Sequence, residues 1–391
     1  MRKMPIGMQM FDEIITGGYA YVDKTAWVYE LAKDGKYFFL GRPRRFGKSL
    51  LLSTLRAYFE GKKELFEGLA IEKLESEWTQ HPVLHINLNV AAYGNVADLR
   101  SGLDTNLRRY EKVWVPDGQA AGMTPSARFY DLIQAAHDKT GRSVVVLIDE
   151  YDRPLTQTME RSKPNDDIRD ALKGFYGVLK SADEWLRFVL LTGVTKFSRV
   201  SVFSDLNMLR DISMSERYAG ICGITAQELE DNFKDELAAL AKHNGMAYGE
   251  ALAEMKKRYD GYLFAKQGER MFNPYSVLNT FVENEFAYYW FATGTPTFLV
   301  EQIKQGGFDP LRFAKADSIV IPAESMDEYR LGDADPAPLL YQSGYLTITY
   351  YDRQTGEYTL AFPNEEVRYG FLNALLPAYT YRPPGERGFY V

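Results

Sequence analysis

The sequence predicts an α/β fold: a P-loop-type parallel sheet with helices on both faces, followed by a helical lid and a winged-helix-like C-terminal module. Three observations carry this. A short apolar run, Tyr37-Phe38-Phe39-Leu40, leads through a basic, glycine-bounded loop into a helix opening at Lys48. A second run, Val144-Val145-Val146-Leu147-Ile148, is continuously apolar and ends in Asp149-Glu150. Such runs mark central parallel strands buried on both faces. Strand-like and helix-like segments alternate up to about residue 212, as βαβ units require. The expected division is residues 1–217 for the sheet domain, 218–310 for the lid and 311–391 for the terminal module.

The first run carries chemistry. Strand, loop and Gly47-Lys48-Ser49 at a helix start are the parts with which P-loop proteins hold a nucleoside triphosphate. Unpaired N–H groups at a helix N-terminus face the phosphates, and the helix dipole favours negative charge there. Lys48 would reach the β- and γ-phosphates, and Ser49 would offer its hydroxyl to Mg²⁺. The candidate nucleotide contacts are Arg42, Pro43, Arg44, Arg45, Phe46, Gly47, Lys48, Ser49 and Leu50. The loop departs from the usual spacing: Arg42 stands where the first glycine is expected, and Gly41 sits one residue early. Alone, Gly-Lys-Ser also fits a basic turn between a core strand and a core helix.

The second run changes that balance. An acid at the end of such a strand helps hold Mg²⁺, and an adjacent Glu can orient and deprotonate the attacking water. Asp149 is the metal candidate together with Ser49, and Glu150 and Lys48 are the catalytic candidates. The expected arrangement sets the lysine-bearing turn against a carboxylate pair on a neighbouring strand. Two motifs in this order, about a hundred residues apart, point to an ATP or GTP site.

The remaining elements follow in order. Asp23 and Thr25 precede AWVYELAK, whose apolar spacing predicts a capped helix; Tyr21 to Thr25 fits capping chemistry better than contact with base or ribose. Helices are expected over about Lys48–Glu60, Ala97–Lys112, Ser126–Lys139 and Pro164–Ala182, and strands over Val83–Asn89, Arg187–Val194 and Asn207–Ile212. Asp152 fits a helix cap before Arg153-Pro154, with a second acid as the alternative. Thr192 or Thr195, at the tip of a strand beside the acid-bearing one, is placed to sense a γ-phosphate; a plain strand-end turn is the competing reading. Thr225 with Glu228 is a capping box for an acidic amphipathic helix over Thr225–Lys242. Helices over Ala247–Arg258 and Pro274–Glu285 follow, and YDGYLF and FNPYSVLN read as packing turns. From Leu339 a short helix, a hairpin turning at Gly356 and a last helix suggest the winged-helix-like module. That last helix opens with Glu365-Glu366, which disfavours DNA reading and favours protein packing.

Composition narrows the classes. The net charge of −7 argues against a nucleic-acid coat protein, leaving a nucleic-acid partner undecided. One cysteine, Cys222, excludes an intrachain disulfide and fits a reducing compartment. His81, His85, His137 and His243 form no metal-binding spacing, so zinc is not expected. With no long apolar run at the N-terminus or elsewhere, a cytoplasmic protein that does not span a membrane is expected.

Together these residues resemble the bacterial AAA-ATPase-like family, a branch of the P-loop NTPases. The matching pieces are YVDKT (Tyr21 to Thr25), RPRRFGKS (Arg42 to Ser49), LIDEYDRPL (Leu147 to Leu155), LTGVTKFSRVSVFSDLNML (Leu191 to Leu209), YDGYLF, FNPYSVLN and LLYQSGYLTI…FPNEEVR. They cover nearly the whole chain, and RPRRFGK makes Arg42 a family trait. The resemblance implies ATP binding. A nuclease-like PD-(D/E)xK domain often follows in the family; TYRPPGERGFYV at residues 380–391 contains no such module, so nuclease activity is not expected. The leading expectation is a Mg²⁺-dependent ATP-binding protein with slow hydrolysis, working as a switch on a protein partner or a second copy. An arginine finger would come from another subunit or from Arg42, Arg44 or Arg45. The alternatives are a non-hydrolysing nucleotide-binding scaffold and an ATPase subunit of a nucleic-acid-processing system.

Overall fold

Strands rich in Val, Leu, Ile and Phe on both faces have to lie inside a sheet, and here they do. The computed structural model describes residues 2–115, 122–159, 161–196, 206–292, 318–327 and 335–380. The chain divides into two compact units, Arg2–Cys222 and Gly223–Val391.

In the first unit, α1 (Phe11–Thr16) and α2 (Thr25–Asp34) precede β1 (Tyr37–Gly41) and α3 (Lys48–Phe59). Then come β2 (Val83–Asn87), α4 (Val96–Trp114), α5 (Pro125–Thr140), β3 (Val144–Asp149), α6 (Arg153–Thr156), α7 (Ser162–Ser181), β4 (Leu186–Gly193) and β5 (Arg210–Asp211). The five strands are parallel, in the order β2-β3-β4-β1-β5. All of β3 is buried, and β4 is buried except at Arg187.

This order corrects one expectation. The acid-bearing β3 is not beside β1, because β4 lies between them. An apolar run shows that a strand is buried on both faces but carries nothing about which strand it pairs with. The edge strand is also shorter than Asn207–Ile212. Leu209 N–H turns back to Leu206 O at 3.1 Å, and Ser213 N–H turns onto the Asp211 carboxylate at 2.8 Å.

Helix starts follow their caps. Asn95 and Asp98 close a capping box on α4, and Thr124 caps α5 ahead of Pro125. At α2, Asp23 Oδ1 accepts from Thr25 N–H at 2.8 Å and from its hydroxyl at 2.6 Å, while Oδ2 accepts from Ala70 N–H at 2.7 Å. Asp23 and Thr25 thus brace a helix entrance.

In the second unit, the Thr225–Glu228 capping box forms and opens the helix Ala226–His243, followed by helices Tyr248–Tyr259 and Pro274–Glu283. The expected hairpin pairs Thr347–Asp352 with Glu357–Ala361, and Ile319–Pro322 adds a third antiparallel strand. The helices Ala337–Ser343 and Glu365–Thr380 flank the hairpin in sequence. Part of the expected lid (293–310), residues 197–205 of the LTGV motif and the tail 381–391 lie outside the described residues. No described helix is long and apolar enough to cross a membrane.

The turn motifs have packing roles. Gly261 has φ +105°, and a Cβ there would lie 2.0 Å from Pro363 O, so no other residue fits. Asn273 caps Pro274–Glu283 through Tyr275 N–H and Ser276 N–H. Beside it, the buried Glu366 accepts from Ser276 Oγ at 2.7 Å and from Trp290 N–H at 2.8 Å. Burial pushes its carboxyl up to about 7, against the lowering effect of these donors.

A folded-state pKa raised above the unfolded value gives stability that is complete below the unfolded pKa and lost as pH rises through the folded one. The second unit should therefore weaken from about pH 4.5 to above pH 7, by up to about 3 kcal/mol. Hydrogen exchange of residues 274–283 should quicken over that range once intrinsic rates are corrected for. Glu366→Gln should flatten the dependence.

Candidate active site

A loop that cradles phosphate needs free N–H groups, a cation and a backbone able to turn tightly. Gly47 supplies the turn with φ +92°. It is the N-cap of α3 and has no side chain to cap with, so the first turn begins without a side-chain cap on its N–H groups. Lys48, 6% exposed, folds its ammonium back onto the loop, donating to Arg42 O at 2.9 Å and Pro43 O at 3.1 Å. Phe46 and Pro43 are buried, Arg44 and Arg45 are exposed at the loop tip, and Leu50 is half-buried in the first turn of α3. Arg45, with φ +69°, is in the left-handed region that non-glycine residues seldom adopt.

The acid end of β3 meets this loop across β4. Ser49 Oγ donates to Asp149 Oδ2 at 2.6 Å, and Thr192 Oγ1 donates to Asp149 Oδ1 at 2.8 Å. Glu150 N–H donates to the same Oδ1 at 3.0 Å. The buried Asp149 is thereby fixed between the α3 start and the β4 tip. Glu150 follows it with φ +53°, a second left-handed non-glycine residue, and Arg153 Nη1 lies 3.5 Å from its Oε2. Strained backbone of this kind persists where the surroundings over-determine it, commonly at functional sites.

A Mg²⁺ ion fits this donor set. Ser49 Oγ and the Asp149 carboxylate are hard oxygens in direct contact, and Mg²⁺ at phosphate sites takes one or two such ligands beside phosphate and water. Among the described residues no cluster of three or more His, Cys, Asp or Glu offers a self-contained metal site.

Two residues behave differently from the sequence reading. Arg42 was expected among the nucleotide contacts, and as one source of a finger. Its guanidinium is instead buried, 1% exposed, donating to Ser213 O at 2.6 Å and Tyr218 O at 3.1 Å, with its own N–H on Gly193 O. The guanidinium thus anchors the root of the loop. Asp152 is neither a second acid nor a side-chain cap. Its Oδ2 accepts from Val194 N–H at 3.1 Å, Thr195 N–H at 2.7 Å and Thr195 Oγ1 at 2.7 Å. That engages the hydroxyl of Thr195, whereas Thr192 contacts Asp149 directly.

The family model described as Predicted AAA-ATPase matches residues 5–203. The chain belongs to this AAA-ATPase-like family. It is also similar to the protein named "Uncharacterized protein in vnfD 5'region" of Azotobacter chroococcum mcd 1, at 38% identity over 98% of this chain and 71% of that one. Among solved structures it overlaps the Aeropyrum pernix ORC2 protein (ADPNP–ADP complexes) with a TM-score of 0.30 and 11% identity, covering 90% of this chain and 93% of that one. It overlaps Cdc6p from Pyrobaculum aerophilum with a TM-score of 0.26 and 11% identity, covering 94% and 93%. TM-scores this low do not define a shared fold. Family membership makes the chain a nucleotide-binding P-loop protein of the ATPase type.

Some residues of this AAA-ATPase-like site give no local signal in the sequence. Asn87 ends β2 in register with Asp149, and Asn106 of α4 brackets its backbone at 3.0 and 3.1 Å. Tyr151 donates its N–H to Thr192 O and its hydroxyl to Thr195 O, packing its ring over Gly193. A Cβ on Gly193 would lie 2.6 Å from that ring and 2.7 Å from Asp152 Oδ1. Gly193→Ala should therefore lower the stability of the first unit by about 1–3 kcal/mol, measured as a shifted urea midpoint with unchanged slope.

Proposed function

We propose that the chain binds MgATP at this loop and hydrolyses it slowly, acting as a nucleotide-driven conformational switch. The observation that supports this best is the shared carboxylate: Asp149 accepts from both Ser49 and Thr192, uniting loop, acid strand and γ-phosphate sensor. In this reading the α3 N–H groups and Lys48 bind the phosphates, and Ser49 and Asp149 hold Mg²⁺, which neutralises charge building on the phosphate oxygens. Thr192 reads the γ-phosphate. Glu150 aligns the attacking water and takes its proton. Exchanging its two carbonyl partners for phosphate gives Lys48 two alternative sets of bonds, the elementary requirement of a switch. Residues 218–310 as a lid and 311–391 as a winged-helix-like module that meets a protein partner or second copy belong to the same proposal, as does a cytoplasmic location.

Two substitutions test it. Lys48→Ala should abolish binding of labelled ATP in an equilibrium titration. Glu150→Gln should keep the dissociation constant within a few-fold and lower phosphate release by about 100-fold or more. Parental turnover in Glu150→Gln would remove Glu150 from its role. Binding without any phosphate release in the wild type would leave a nucleotide-holding scaffold.

A further inference from the structure

We propose that the ion pair between Lys196 and Asp211 is a strap across the root of the phosphate loop, and that both are positioning residues for turnover. This rests on the nucleotide reading above. Lys196 lies just beyond β4 and Asp211 ends β5, while β1, the strand that launches the loop, runs between them. Lys196 Nζ is 2.7 Å from Asp211 Oδ2, with both side chains 13% exposed. One salt bridge therefore spans the strand on which the loop is mounted.

Each end of the strap is tied to a part of the site. Asp211 Oδ1 accepts from Ser213 N–H at 2.8 Å. Ser213 Oγ accepts from Gly41 N–H at 2.7 Å, and Ser213 O accepts from Arg42 Nη1 at 2.6 Å. Arg42 in turn presents its carbonyl to Lys48. At the other end, Lys196 follows Thr195, which Asp152 clasps, and Asp152 stands two residues from Glu150. A continuous bonded path thus joins the water-activating turn to the lysine that would hold the phosphates. Burial opposes ionisation of Asp211, yet the Lys196 ammonium and the Ser213 donors outweigh it and hold the carboxyl below its ordinary value.

Stability alone is a poor reason for such a pair. An ion pair taken out of water commonly does no better than apolar side chains of the same volume, and what it supplies is a fixed geometry. Geometry is what this site needs, because Thr192 and Glu150 connect to the Lys196 end of the strap and Lys48 to the Asp211 end. A displacement of about 1 Å between such groups can cost turnover about 100-fold.

The test uses the full chain with Mg²⁺ and ATP. Lys196→Met and Asp211→Asn should each lower kcat about tenfold or more and leave KM within about threefold of the parent. The charge-exchanged double variant Lys196→Asp/Asp211→Lys should recover most of the loss, with kcat counted per folded molecule so that a loss of folding alone changes nothing. Turnover within twofold of the parent in both single variants overturns the strap. So does a double variant that is folded and no better than the singles. If the wild type binds nucleotide but releases no phosphate, the hydrolysis reading fails by itself. The strap is then judged on affinity: Lys196→Met should shrink the preference for MgATP over MgADP at least threefold, and an unchanged ratio overturns it.

Discussion

The structure depends on one hydrogen bond, from Ser49 Oγ to Asp149 Oδ2, at 2.6 Å. It joins the start of α3 to the end of β3 although β4 stands between β1 and β3. For the bond to form, three strand ends must stop at the same level, and the loop after β1 must fold over the tip of β4. The parallel register achieves this: Gly41 stands opposite Gly193, and Asn87 opposite Asp149. Thr192, caught under the bridge, gives the carboxylate its second partner. Asp149 then occupies a low-dielectric position with three donors, the condition under which a buried acid is tolerated.

Much of this was legible because the signals are local. Apolar runs marked β1, β3 and β4; Thr225 with Glu228 announced its helix by cap chemistry; Gly47-Lys48-Ser49 and Asp149-Glu150 announced themselves by type and place. What stayed hidden is relational. Strand order depends on which buried faces fit together, and no single run records that. Arg42 reads as a phosphate contact because it stands at the first-glycine position of the loop motif. Its guanidinium turns inward because Ser213, Tyr218 and Ala219 present carbonyls that lie far away in sequence. Asp152 misled in the same way: its place before Arg153-Pro154 suits a cap, but the N–H groups that claim it follow β4.

The second unit is organised on different terms. Its hub is a carboxyl, Glu366, linked to the first turn of one helix and the backbone of another. The glutamate pair that sets the sign of the last helix for DNA reading therefore contains two residues of unlike duty. Glu365 sits at the surface with Lys257 at 2.9 Å, while Glu366 is interior. Charge counting treats them alike, although only one contributes to the surface field.

The two carbonyls that accept from Lys48 also bear on which anions the loop retains. A ligand that takes over both contacts gives up about 0.5–1.5 kcal/mol net for each before the ammonium offsets it, whereas the third N–H of an ammonium can meet an anion without disturbing either. A lone orthophosphate or sulfate has few groups with which to make up that deficit. A chain of phosphates spread along the helix end has many. Within the nucleotide reading, the loop's own backbone therefore sets part of the cost of drawing Lys48 out onto a ligand, and a polyphosphate is better equipped than a small inorganic ion to meet it.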